Sequence, residues 1–196
     1  EAHGAHLGFH SYFPKSAIQC GADIVIQSMH KTLPCLTQTA LLHVCSHRVS
    51  SENIAMCLGI YQTSSPSYVL MGSMSYCLHL LEEKGTMLFD EYVQKLRLFY
   101  EETEKLKNLK VITPENAKDI FKAQWDPSKI NIITTALNDS NGMPYAGKEL
   151  AKELRTRFGL QMEMESENRV LAMTSIYDSE EGFSRLKDAL FEIDQK

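Results

Sequence analysis

The chain has 196 residues, a formal net charge of −5 and 43% hydrophobic residues, so it is long enough for one large domain or two small ones. The acidic balance argues against binding of nucleic acid through a basic surface, and no apolar run approaches the roughly 20 residues that a membrane-spanning helix needs. The five cysteines show no Cys-x-x-Cys spacing, which predicts reduced thiols in a cytoplasmic protein.

The first predicted elements surround a lysine. Residues 14–17 are typical of the start of a short helix, because proline fits the first helical turn. Residues 22–27 and 39–44 have the length and β-branched content of buried strands in an α/β sheet. Lys31 follows the first strand in a polar loop, and it should therefore lie at the edge of the sheet, where α/β proteins bind ligands.

The neighbours of Lys31 favour a chemical role over that of a solvated loop lysine, which is the commoner role of a lone lysine. Partial burial would lower the pKa of the amine and favour the neutral form that attacks carbonyl carbons. Ser28, His30 and Thr32 add two hydroxyls and an imidazole that could bind an anionic ligand.

A long helix and a smaller set of strands and helices are predicted next. Residues 82–85 interrupt the first pattern, and residues 86–109 have apolar positions at steps of three and four: Phe89, Val93, Leu96, Tyr100, Thr103 and Leu106. Residues 129–137 predict a strand and residues 138–142 a turn. A helix closed by Gly159 and a strand over residues 170–174 follow.

The last predicted helix has an amino-terminal cap at Asp178 or Ser179. Its inward-facing residues are predicted to be Phe183, Leu186, Leu190 and Ile193.

Two further segments allow more than one interpretation. His3, His6 and His10 have the spacing of metal ligands on a helix, but Gly4 and Gly8 disfavour a helix, so a structural role is the preferred interpretation and no metal is expected. The segment Thr-Ser-Ser-Pro-Ser-Tyr at residues 63–68 is typical of a turn whose hydroxyls bind local backbone groups.

Three stretches in order carry a family resemblance: EAHGAHLGFH at residues 1–10, GADIVIQSMHKTLPCLTQTALLH at 21–43 and TSSPSY at 63–68. Together they closely resemble the bacterial ornithine/lysine/arginine decarboxylases, a pyridoxal-phosphate family of the aspartate-aminotransferase fold. The implied fold class is α/β, with the C-terminal part of a transferase-like large domain followed by a small α+β domain. The implied bounds are 1–85 for the partial large domain, 86–110 for a linking helix and 111–196 for the small domain.

The resemblance also implies a site. Lys31 would hold pyridoxal phosphate covalently, His3 would lie by the cofactor ring, and Ser28 and His30 would assist. His30 is a candidate both for the proton donor to the substrate and for a phosphate ligand, and the two roles remain open. Thr63, Ser64 and Ser65 would reach the cofactor phosphate of a neighbouring subunit, which implies a homodimer or a higher homo-oligomer.

The implied reaction is decarboxylation of lysine, ornithine or arginine to the amine and CO₂. The aspartate that precedes Glu-Ala-His-Gly in the family, and the family's upstream phosphate loop, do not occur before Glu1. We therefore expect a fragment that is inactive by itself and binds the cofactor poorly. The alternatives are an aminotransferase or lyase of the same fold, or a folded remnant without activity.

Overall fold

The computed structural model describes residues 1–134, 137–138 and 142–195, without the side chains of residues 120 and 121. The chain divides into two compact units, Glu1–Phe89 and Asp90–Lys196. None of the helices within the described residues is both long and apolar enough to cross a membrane.

The first unit contains a two-stranded sheet. Strand β1 (Ile24–Ser28) leads directly into helix α1 (Met29–Thr32), and strand β2 (Ala40–Val44) returns antiparallel to β1, with Ile24 opposite Val44 and Ser28 opposite Ala40. Both strands form where the sequence predicts them, but the expectation that they are buried is wrong. Val25 is buried, whereas Ile26 is 55% exposed, because alternate side chains of a strand point to opposite faces.

Two helices follow β2 in the chain, and the second of them changes the interpretation based on the sequence. Helix α2 (Ser51–Tyr61) is capped by the hydroxyl of Ser50, which accepts from the backbone N–H of Asn53 at 3.2 Å. Helix α3 (Tyr68–Thr103) runs without a break through residues 82–85, so the predicted start at residue 86 is wrong. Gly85 is buried in this helix, which shows that packing can outweigh the roughly 1 kcal/mol that glycine costs a helix.

The predicted helix start at residues 14–17 is also wrong. The segment forms only a turn, in which the Cys20 N–H donates to the Ser16 carbonyl at 3.0 Å. Gly21, with φ +85, then redirects the chain toward β1.

The second unit is an antiparallel sheet with helices. Its elements are β3 (Lys110–Val111), α4 (Pro114–Phe121), β4 (Lys129–Ile133), α5 (Gly147–Phe158), β5 (Met164–Glu165), β6 (Arg169–Met173) and α6 (Glu180–Asp194). The strand order is β3-β4-β6-β5, and each neighbouring pair is antiparallel. This mixture of helices and strands agrees with the predicted class.

Local signals predicted most of the second unit. Gly159 caps α5 with φ +66, Ser179 caps α6, and the four residues predicted to face inward from α6 are buried. Strand β4 is shorter than the predicted 129–137, and of those residues 135 and 136 lie outside the described part of the chain. The predicted turn also falls largely outside it, at residues 139–141.

Gly147, the first residue of α5, lies so close to neighbouring backbone atoms that no larger residue fits at this position. A Cβ atom at Gly147 would lie 2.3 Å from the Ser166 carbonyl oxygen and 2.4 Å from that of Arg169. Both are backbone atoms beside strand β6, so they cannot rotate away as a side chain could. This close approach sets the position of α5 on the sheet.

Candidate functional site

Lys31 lies in helix α1, directly after β1, and not in the loop that the sequence predicts. The helix has a single turn because Pro34 disfavours helical backbone at Leu33, whose φ of −125° and ψ of 159° are extended. The side chain of Lys31 is half-buried. The short helix therefore presents the amine at the end of the strand, close to where the sequence pattern expects it.

The amine of Lys31 contacts an imidazole. Its Nζ lies 3.1 Å from Nε2 of His3, and within the described residues this is the polar contact that Lys31 makes. The tautomer of His3 decides which of the two nitrogens donates. In the part of the chain that the structure describes, no carboxylate pairs with the amine, so no ion pair there must be broken before the nitrogen can react with a carbonyl carbon.

A hydrogen-bonded chain fixes the segment that carries His3. The carboxylate of Glu1 accepts from Nε2 of Gln27 and from the backbone N–H of Ala17, both at 2.5 Å. The other end of the Gln27 amide lies 3.0 Å from Nε2 of His43, on strand β2. Gln27 is buried in β1, so the sheet that leads into Lys31 also anchors the turn that leads into His3.

His30 and Ser28 flank Met29 at the start of α1. Nδ1 of His30 donates to the carbonyl oxygen of Thr39 at 2.9 Å. Ser28 occupies the cap position of α1, yet its hydroxyl makes no capping hydrogen bond. Nε2 of His30 and the Ser28 hydroxyl have no partner within the described residues, and the buried hydroxyl of Thr32 has none either. Ser28 and His30 are partly exposed, so their free polar groups can bind a ligand, whereas the Thr32 hydroxyl is enclosed by the protein.

The loop after Lys31 is anchored to helix α3. The backbone N–H of Leu36 donates to the Ser73 hydroxyl at 2.9 Å, and Sγ of Cys35 lies 3.7 Å from the Ser73 carbonyl oxygen. One turn further along α3, burial raises the pKa of the Cys77 thiol to about 12, and the neighbouring thiol of Cys35 contributes to this shift. All five cysteines are free thiols, as the sequence predicts.

Thr63, Ser64 and Ser65 are exposed between α2 and α3. Their hydrogen bonds are local: the backbone N–H of Ser65 donates to the Thr63 hydroxyl at 3.2 Å, and that hydroxyl lies 3.4 Å from the Ser65 carbonyl oxygen. Within the described residues, no hydrogen bond joins this segment to Lys31. The structure thus brings His3 to Lys31 but leaves these hydroxyls outside the cluster of this subunit.

His6 and His10 have structural contacts. The ring of His6 is buried and packs edge-on against Phe13 with 5.1 Å between centroids. Nδ1 of His10 accepts from the backbone N–H of Tyr12 at 3.0 Å. Over the described part of the chain, no group of three or more His, Cys, Asp or Glu side chains could hold a metal ion.

Sequence reasoning missed Thr39, Gln27 and Ser73 as parts of this region. Thr39 acts through its backbone carbonyl, which no side-chain pattern reveals. Gln27 had one signal: it is a polar residue at the end of an apolar strand run. Ser73 lies 37 residues from its partner Leu36, so only the tertiary structure could reveal that contact.

Solved structures share this fold. Lysine decarboxylase A from Pseudomonas aeruginosa superposes with a TM-score of 0.73 at 18% identity, covering 100% of this chain and 32% of that one. The constitutive lysine decarboxylase of Escherichia coli gives a TM-score of 0.71 at 20% identity, covering 88% of this chain and 28% of that one. The fold is therefore the one found in these lysine decarboxylases.

Sequence comparison identifies the family. Residues 1–181 match the family model of the major domain of the Orn/Lys/Arg decarboxylases. The chain therefore belongs to this family. It is also 29% identical over 196 residues to an arginine decarboxylase of Bacillus subtilis, covering 100% of this chain and 39% of that protein. The chain thus spans about two fifths of the length of that relative.

Proposed function

We propose that the full-length protein is a pyridoxal-phosphate-dependent decarboxylase of a basic amino acid, namely lysine, ornithine or arginine, and that Lys31 binds the cofactor covalently. The observation that carries this proposal is the amine of Lys31, which is half-buried at the end of β1 and lies 3.1 Å from the imidazole of His3, with no carboxylate partner among the described residues. The relatives named arginine decarboxylase support the same reaction class.

The residues around Lys31 fit the chemistry of pyridoxal phosphate. The cofactor needs an amine for its aldehyde, a flat group beside its ring and donors for its phosphate. Lys31 and His3 provide the first two. The unpartnered hydroxyl of Ser28 and Nε2 of His30 provide donor atoms beside the amine.

Each residue then has a defined task. When bound, pyridoxal phosphate supplies an electron sink that accepts the electron pair released as the substrate carboxylate leaves as CO₂. Lys31 would hold the cofactor through its aldehyde carbon and would be released as a free amine when the substrate amine takes its place. Ser28 binds phosphate, and His30 either binds phosphate or delivers the proton to the substrate carbon through Nε2.

The domain organisation follows from this assignment. We assign residues 1–85 to a partial cofactor-binding large domain, 86–110 to a linking segment and 111–196 to a small domain. The linking segment is helical only as far as Thr103, where α3 ends. The boundary between the two compact units, at Phe89 and Asp90, supports a division near the start of the linker. The five free thiols support a cytoplasmic location.

Chemical labelling tests the assignment of Lys31. Borohydride reduction of the full-length enzyme with bound cofactor should place the pyridoxyl group on the peptide that contains Lys31, because reduction makes the covalent bond permanent. Peptide mapping by mass spectrometry measures the position. Lys15, exposed in the same unit, is the internal control, and a label there or on any other lysine would refute the proposal.

We also propose that Thr63, Ser64 and Ser65 bind the cofactor phosphate of a neighbouring subunit in a homodimer or a multiple of one. Their exposure supports the idea, and so does the absence, within the described residues, of any hydrogen bond between these hydroxyls and Lys31. Cofactor binding and assembly would then stabilise each other by mass action.

Mixed dimers show whether the hydroxyls of residues 63–65 bind the cofactor of the neighbouring subunit or that of their own subunit. In a dimer of a Lys31→Ala chain with a Ser65→Ala chain, the remaining Lys31 should keep normal cofactor affinity, because its hydroxyl comes from the intact Ser65 of the other chain. The matched control pairs a wild-type chain with a Lys31→Ala/Ser65→Ala chain. There the affinity should fall by roughly 10- to 150-fold, since a hydrogen bond to a charged group contributes about 1.5–3 kcal/mol. The reverse pattern in a cofactor titration would mean that the segment serves its own subunit.

A further inference from the structure

The loop between α1 and β2 contains a residue with unusual backbone geometry. Gln38 has φ +81, in the left-handed region that residues other than glycine rarely adopt. Its side chain is exposed, so the conformation is not explained by burial of the side chain. Such a conformation persists only where the surrounding contacts fix it.

Those contacts belong to the next residue. Thr39 is 2% exposed, and its hydroxyl donates to the Leu36 carbonyl at 2.8 Å. Its own carbonyl oxygen accepts from the backbone N–H of Met29 at 3.1 Å and from Nδ1 of His30 at 2.9 Å. The left-handed turn at Gln38 thus directs the Thr39 carbonyl toward the helix that carries Lys31.

This contact determines which ring nitrogen of His30 carries a proton. A carbonyl oxygen can only accept, so Nδ1 must be the donor. Nε2 is then the ring atom without a partner in the described part of the chain. We propose that Thr39, held by the left-handed Gln38, is a positioning residue that keeps the proton of His30 on Nδ1 and reserves Nε2 for ligand or substrate.

The proposal rests on the proposed function of the Lys31 site, and it limits the protonation states in which His30 can act there. A histidine that binds a phosphate oxygen as donor, or that gives a proton to a carbon, must carry a proton on Nε2. With Nδ1 already protonated, both tasks require the imidazolium form. Neutral His30 offers only a lone pair at Nε2. The two roles that the sequence leaves open therefore share one protonation state.

The test measures the protonated nitrogen directly in this chain, without cofactor. Long-range ¹H–¹⁵N correlation spectra of ¹⁵N-histidine-labelled protein, recorded well above the ordinary histidine pKa of about 6.5, separate a protonated ring nitrogen from a bare one. His30 should be protonated at Nδ1. His10 is the internal reference with the opposite pattern, because its Nδ1 accepts from Tyr12. Protonation of neutral His30 at Nε2 would overturn the proposal.

Two substitutions at Gln38 test the positioning role. Gln38→Gly removes the side chain but keeps access to positive φ, so the His30 pattern should be unchanged. Gln38→Pro fixes φ near −65° and should remove the preference for Nδ1. If the proline variant does not fold, Gln38→Val gives a partial loss instead, since a β-branched residue disfavours this backbone region. An unchanged pattern in a folded Pro variant, or in Val if Pro fails to fold, would contradict the role of the loop.

The spectra are also independent of the chemistry at Lys31. A pyridoxyl label on another lysine would refute the proposed function and leave the His30 measurement valid. Conversely, a His30 protonated at Nε2 would refute this inference and leave the labelling result untouched. The two experiments can therefore refute the proposed function and this inference independently of each other.

Discussion

Replacing Lys31 with arginine is expected to lower decarboxylation by the full-length enzyme by roughly 10³-fold or more, the scale of loss seen when the covalent nucleophile of an enzyme is removed. A guanidinium group stays protonated and cannot attack an aldehyde carbon. The arginine side chain has a similar length and can occupy the same position beside His3, however, so the fold should be preserved. The measurement is the rate of CO₂ or amine production with lysine, ornithine and arginine as separate substrates.

Two controls make this result specific. Lys15→Arg is the same change at an exposed lysine of the same unit, and it should leave the rate unchanged. Thermal unfolding of the Lys31→Arg variant should match that of the wild type, because a half-buried amine contributes little to packing. Activity within tenfold of the wild type would show that Lys31 is not the residue that binds the cofactor.

Asp194→Ala is expected to destabilise the second unit by about 3–5 kcal/mol, a large part of the usual stability of a domain. The Asp194 side chain is 6% exposed at the end of α6. Its carboxylate accepts from three consecutive backbone N–H groups, those of Lys107, Asn108 and Leu109, at 2.8, 2.7 and 2.6 Å. Removing the carboxylate would leave all three donors without this partner, and the N–H of Leu109 would be unpaired in a buried position.

Urea unfolding followed by tryptophan fluorescence isolates this effect. Trp125 is the sole tryptophan of the sequence and lies in the second unit, so its signal reports on that unit. The midpoint should fall with an unchanged slope. Asp188→Ala, on the same helix but with one 3.3 Å hydrogen bond to Ser184, should cost less than about 1 kcal/mol. A similarly small loss for Asp194→Ala would contradict the proposed role of the carboxylate.

Much of the second unit could be predicted from local rules. The apolar period placed α6, and the hydroxyl of Ser179 and the glycine at 159 marked where helices begin and end. These signals work because capping and amphipathic burial involve residues within a few positions of one another. The pairing of β4 with β6 was beyond such rules, since Lys129 and its partner Met173 lie 44 residues apart in sequence.

The first unit was predicted less well for a physical reason. Apolar runs indicated both strands, but a run cannot show whether its neighbour is parallel or antiparallel, nor which face is covered. Three charged residues and a glycine at positions 82–85 suggested a break in the helical pattern. They continue α3 instead, because Glu82, Glu83 and Lys84 are exposed and only Gly85 faces the interior. Helical sequence can therefore pass through a polar stretch that local patterns take for a loop.

The sequence by itself determined the family: the ordered stretches around His3, Lys31 and Ser65 indicated the ornithine/lysine/arginine decarboxylases, and the family match confirms it. Only the tertiary structure decided how these residues are arranged. The approach of His3 to Lys31 spans 28 residues, and the carbonyl that orients His30 belongs to Thr39 across a left-handed turn. The residue types in a sequence indicate which groups can react. The distances between these groups and the tautomers of the histidines depend on backbone geometry, which contacts between distant parts of the sequence determine.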